Sequence, residues 1–113
     1  MDIEMLRRMA LALPHATEEL KFSTDLCLCI GEKIFAVAPV EGEFSVTLKM
    51  TPDDWAYFLE QPGFEKAPYV GRYQWITVKD VYAWSRDEWQ SRIQNSYALI
   101  KSKLPKKQRE ALQ

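Results

Sequence analysis

Residues 44–50 constrain the fold more than any other stretch, because Phe44, Val46, Leu48 and Met50 alternate without a break with Ser45, Thr47 and Lys49. A period of two places the four apolar side chains on one face of a strand and the three polar ones on the other. Such a strand belongs to a sheet with one face covered and the other wet, or awaiting a partner. The alternation gives way at once to Thr51-Pro52-Asp53-Asp54, a helix start. Thr is a capping residue, Pro at the first helical position forfeits no hydrogen bond, and two carboxylates stand at the positive end of the helix dipole. Trp55, Phe58 and Leu59 give this helix a core face, and Pro62-Gly63 stops it.

Toward the N-terminus, Asp2 caps a helix in which Ile3, Leu6, Met9, Ala10 and Leu13 recur at helical spacing up to Pro14. Residues 17–22 are expected as a first strand with Leu20 and Phe22 on one face, followed by turn chemistry at Ser23-Thr24-Asp25. Leu26, Leu28 and Ile30 mark a second strand, joined through Gly31-Glu32-Lys33 to the apolar run 34–40 as a hairpin. Beyond the middle helix, residues 61–73 read as a long loop, residues 75–79 as a fifth strand, and Ser85 with Glu88 as the capping box of a last helix. Trp89, Ile93, Tyr97, Ile100 and Leu104 form its buried stripe, Pro105 ends it, and the polar tail 106–113 is expected to fray. The predicted fold is α+β, a single domain over residues 1–113: an antiparallel sheet of about five strands with three helices largely on one side, in the order α-β-β-β-β-α-β-α.

Composition narrows the function. Fifteen Lys and Arg against 16 Asp and Glu leave a net charge of -1, so any phosphate-binding surface must be a local patch. No run approaches the roughly 20 apolar residues that span a bilayer, and the first residues are charged where a signal peptide is apolar, so a cytoplasmic location is expected.

Catalytic chemistry finds little purchase. The sole histidine, His15, follows Pro14 and reads as a solvated turn residue, which leaves Ser and Cys nucleophiles without a base. Four scattered glycines build no phosphate-cradling loop. Cys27 and Cys29 share one face of a strand, in poor geometry for a disulfide and short of partners for zinc, and are expected as buried structural thiols. Asp53 and Asp54 are accounted for by the helix start, and Glu18 and Glu19 point to opposite faces of a strand. Neither a cofactor nor a metal is expected, and the chain is expected not to be an enzyme.

The aromatic loop is the most suggestive feature. Tyr69, Arg72, Tyr73 and Trp75 bring flat rings and a guanidinium together, flanked by Lys66 and Lys79, a composition able to stack bases and neutralise phosphates. The same rings also suit packing, Trp75 beneath the last helix and Tyr69 against the sheet. Lys101, Lys103, Lys106, Lys107 and Arg109 form a second basic cluster that suits a solvated helix C-terminus.

Ala67-Pro68-Tyr69, Gly71-Arg72, Trp75-Ile76-Thr77-Val78, Ser96-Tyr97 and Lys103-Leu104-Pro105-Lys106-Lys107 together resemble the MmcQ/YjbR family of small bacterial proteins. Leu13-Pro14, Lys33-Ile34-Phe35-Ala36, and Lys49 with Pro52 extend the resemblance over nearly the whole chain. It implies a CyaY-like, double-wing α+β fold, and the family is commonly described as predicted to bind DNA, a label that rests largely on fold analogy. The expectation is a non-enzymatic binding module that contacts DNA through a strand face and the aromatic, basic loop, with Lys49, Lys66, Arg72, Tyr73, Trp75 and Lys79 as contacts. The alternative is a module for a protein or a small ligand, with no nucleic-acid activity.

Overall fold

The computed structural model describes residues 1–68 and 73–112. Helix α1, Ile3–Leu11, starts at Asp2, whose side chain accepts from the Met5 N–H at 2.8 Å, and it buries Leu6 and Ala10. Strands β1 (Ala16–Lys21), β2 (Asp25–Ile30), β3 (Lys33–Pro39) and β4 (Val46–Lys49) follow as an antiparallel run. Helix α2, Pro52–Leu59, has Thr51 as its cap, accepting from the Asp54 N–H at 3.3 Å. After β5 (Phe64–Lys66) and β6 (Trp75–Val78) comes α3, Arg86–Lys101, capped by Ser85, which accepts from the Glu88 N–H at 3.1 Å; α4 spans Lys106–Ala111.

The six strands lie in the order β1-β2-β3-β4-β6-β5, antiparallel at every pairing. The α+β class and the antiparallel sheet are as the sequence predicts; the described residues form six strands and four helices rather than five and three. The added strand, β5, lies inside the stretch read as a loop. It has only three residues, too few for alternation to register, and it pairs on one side only, with β6. The added helix, α4, lies in the tail expected to fray, and it is pinned by apolar residues at both ends, the buried Leu104 and Leu112 at the margin of the core.

Register explains the two faces. Leu26, Leu28 and Ile30 of β2, Ala36 and Ala38 of β3, Val46 and Leu48 of β4, and Ile76 and Val78 of β6 point to the helices and are buried. Residue Phe35 is an extra residue in β3 where the register with β2 slips, a bulge that turns its ring onto Tyr97 of α3, edge to face at 5.4 Å. The β2–β3 hairpin turns at Gly31 with φ +61, where a Cβ would come within 3.2 Å of Leu104. Glycine fits there on both counts, and the turn can press against the end of α3.

Phe22 departs from expectation. It is outside β1, in a turn in which the Thr24 N–H donates to the Lys21 carbonyl, and both Phe22 and Ser23 have positive φ. Its ring is 87% exposed instead of sharing an inward face with Leu20, itself more than half exposed at the sheet edge.

Candidate functional site

The uncovered face carries Thr17, Glu19 and Lys21 on β1, Cys27 and Cys29 on β2, Val37 on β3, Thr47 and Lys49 on β4, and Trp75 and Thr77 on β6. Thr47 and Thr77, directly opposed, share a hydrogen bond of 2.8 Å between their hydroxyls. Cys27 and Cys29 are buried free thiols on this face, and burial pushes both above the ordinary thiol range, with nearby Glu19 pushing the same way and Lys21 opposing. His15 is exposed in a turn with φ 63.

Lys49 is the last residue of β4 and pairs with Trp75, the first of β6. Its backbone N–H donates to Ser96 Oγ at 2.9 Å, while its Nζ donates to the Tyr73 carbonyl at 2.8 Å. The residue is only 8% exposed. Lys103, two residues past α3, lines the same recess as Lys49. Burial first, and then the proximity of Lys103, push Lys49 down to about 8.

In front of this lysine is a recess of about 440 Å³. Its walls come from distant parts of the chain: Lys21 of β1, Glu32, Lys33 and Ile34 of the β2–β3 hairpin, Lys49, Tyr73, Trp75, and Ile100 with Lys103 at the end of α3. Among the described residues, four lysines and one carboxylate, Glu32, thus line this recess. The lysine ion pairs among the described residues lie elsewhere, Lys79 with Glu65 at 3.8 Å and Lys106 with Glu110 at 3.9 Å. Lys49 also lines a second recess, of about 410 Å³, with Met50, Thr51, Asp54, Arg92, Asn95 and Ser102. Asp54 and Arg92 are already joined there at 2.9 Å.

Of the residues singled out from sequence, Lys49, Tyr73 and Trp75 come together in the lysine-rich recess. Lys66 does not: its ammonium is 5.7 Å from the centre of the Trp55 ring, on the side of α2. Lys79 is also elsewhere, paired with Glu65 in a recess that Asp25 also lines and that Lys49 does not. Arg72, like Tyr69, is outside the described residues. Trp75 is half-buried, and its carbonyl accepts from Trp55 Nε1 at 3.1 Å. The recess adds Lys21, Glu32, Lys33 and Lys103, which sequence reasoning did not assemble. Lys103 stood out only as part of a helix-end cluster, and Lys33 only within a hairpin motif.

A family model described as YjbR matches residues 11–99, a range that contains every residue of the recess except Ile100 and Lys103. Among solved structures, the fold is similar to that of the Deinococcus radiodurans protein DR2400, described by the domain DUF419. The TM-score is 0.86 at 19% identity, over 97% of this chain and 86% of that one. No curated protein matches the chain. Among the described residues no helix is long and apolar enough to cross a membrane, and no three His, Cys, Asp or Glu side chains gather as metal ligands would.

Proposed function

This chain belongs to the YjbR family, and from that premise we propose that it is a non-enzymatic binding module that holds a DNA strand against its uncovered sheet face. The observation that carries the reading is the convergence of Lys21, Lys33, Lys49 and Lys103 beside Trp75 and Tyr73. Phosphates are drawn to the lysines, and a base finds a flat partner in the exposed ring of Tyr73 or the half-buried ring of Trp75. With the chain as a whole at net charge -1, the attraction is local and short-ranged, and binding is modest and salt-sensitive.

The test is fluorescence anisotropy of labelled single-stranded and duplex DNA at low and near-physiological salt, comparing wild type with Lys33→Ala plus Lys103→Ala. Saturable binding that salt weakens, and that the double substitution weakens by about tenfold, supports the reading. No binding at low salt up to high micromolar protein overturns it. A small anionic ligand is the second reading, favoured by the recess of about 440 Å³, which falls in the size range of small-molecule sites.

A further inference from the structure

Lys49 is an unusual place to keep a cation. A lysine held only for structure is ordinarily paired with a carboxylate when buried, because an uncompensated charge out of water is costly. Here the side chain is largely buried, its ammonium donates to a backbone carbonyl, and the charged neighbour that acts on it most is another lysine, Lys103. Lys33 and Lys21 add positive charge on the recess side, against the one carboxylate of Glu32. On the other side Asp54 is engaged by Arg92. Burial and the neighbouring Lys103 outweigh the bond to the Tyr73 carbonyl and the Glu32 carboxylate, and they favour the neutral amine, whose lone pair is a nucleophile.

We propose that Lys49 is a carbonyl-reactive amine, and that the recess before it takes a small aldehyde bearing an anionic group and holds it reversibly as an imine. The amine nitrogen attacks the carbonyl carbon, and the carbonyl π electrons move to oxygen. A proton passes from nitrogen to that oxygen to give the carbinolamine. The hydroxyl then takes the remaining nitrogen proton and leaves as water while the nitrogen lone pair forms the C=N bond, so one aldehyde and one amine become one imine and one water, with no change of oxidation state. Lys33, Lys103 and Lys21 receive the anionic group, and Trp75 walls the recess where an aromatic aldehyde would lie flat. The proposal is independent of DNA binding, which can fail while the imine forms.

Pyridoxal phosphate serves as the probe. It is added below stoichiometry to the full chain near neutral pH with cyanoborohydride, and the reduced adduct is mapped across every lysine-containing peptide. Lys49 is expected to be labelled on the order of tenfold faster than any other lysine, because a far larger share of it is neutral at that pH. Lys49→Arg, which keeps the cation and removes the nucleophile, is expected to lose the dominant adduct. Lys103→Ala is expected to slow labelling at Lys49 several-fold by allowing the ammonium to return. Label spread over the lysines in proportion to their exposure, with no excess at Lys49, would overturn the proposal, and that measurement needs no variant to fold.

Discussion

Ser96 of α3 and Phe35 of β3, 61 residues apart in sequence, are joined by a 2.6 Å hydrogen bond from the serine hydroxyl to the phenylalanine carbonyl. The bulge at Phe35 has turned that carbonyl out of the ladder, and the same hydroxyl accepts from the Lys49 N–H at the end of β4. One fully buried side chain thus satisfies two backbone groups that the sheet leaves over. Ser96→Ala strands both, and is expected to cost about 2–4 kcal/mol. The check is urea unfolding: the midpoint should fall with the slope unchanged. An unchanged midpoint would show that the two groups find other partners.

Lys49 links stability to pH. Its folded value of about 8 lies below the ordinary 10.5, so between those limits the unfolded chain binds the proton and the folded chain does not. Stability contributed by this group therefore rises with pH across that window, and the cost is fully present below about pH 8. The whole shift corresponds to roughly 3 kcal/mol, an upper bound. Lys49→Met keeps the volume and loses the charge together with the bond to the Tyr73 carbonyl. It is expected to be more stable than wild type by about 1–2 kcal/mol at neutral pH, with the advantage shrinking toward pH 10. Denaturant midpoints of both proteins across this range decide the matter, and a constant difference would remove the charge from the account.

Cys27 and Cys29 are 2% and 6% exposed, and burial raises both thiols, so few are thiolate near neutral pH. Reaction of the native protein with a thiol-specific chromogenic reagent is expected to be slow, at least about tenfold slower than in denaturant. Equal rates would show that this part of the uncovered face opens readily.

The strength of local signals decided what could be read from sequence. Alternation over residues 44–50 fixed which side of β4 meets the helices, and three caps, at Asp2, Thr51 and Ser85, are bonded as their side chains allow. The stripe Trp89, Ile93, Tyr97, Ile100 and Leu104 is buried as spaced, but the serine beside it was legible only as part of a motif. Its reason is a bulge 61 residues away. Tyr97 is similar, its hydroxyl donating to the Pro14 carbonyl at 2.7 Å, so two separate motifs meet in one contact. The recess was legible only in part because its lysines come from β1, a hairpin turn, β4 and the end of α3, and spacing along the chain carries no sign of that convergence.

The turn after β1 holds two residues ill suited to it. Phe22 and Ser23, at φ 56 and 59, occupy the central positions of a tight hairpin turn that favours Asn-Gly. Because the Phe22 ring is largely exposed, replacing it sacrifices little packing. Phe22→Asn plus Ser23→Gly is expected to raise stability by about 1–2 kcal/mol. Thermal unfolding should show the gain, and a lower midpoint would show that the ring is used after all.

The basic residues divide into two sets that binding can separate. Lys33 and Lys103 face the recess, whereas Lys66 lies over the Trp55 ring and Lys79 is held by Glu65 near Asp25. Each lysine that neutralises a phosphate adds about one unit to the slope of log affinity against log salt. If DNA lies along the recess, Lys33→Ala plus Lys103→Ala lowers that slope by up to about 2, while Lys66→Ala plus Lys79→Ala changes affinity by less than about twofold. All four are exposed residues away from the core, so neither double variant is expected to lose more than about 0.5 kcal/mol of unfolding free energy. Salt titrations of the two double variants by anisotropy make the comparison. The reverse pattern would move the binding surface to the far side of β6, and equal losses in both would mean that the strand follows the sheet from one end to the other.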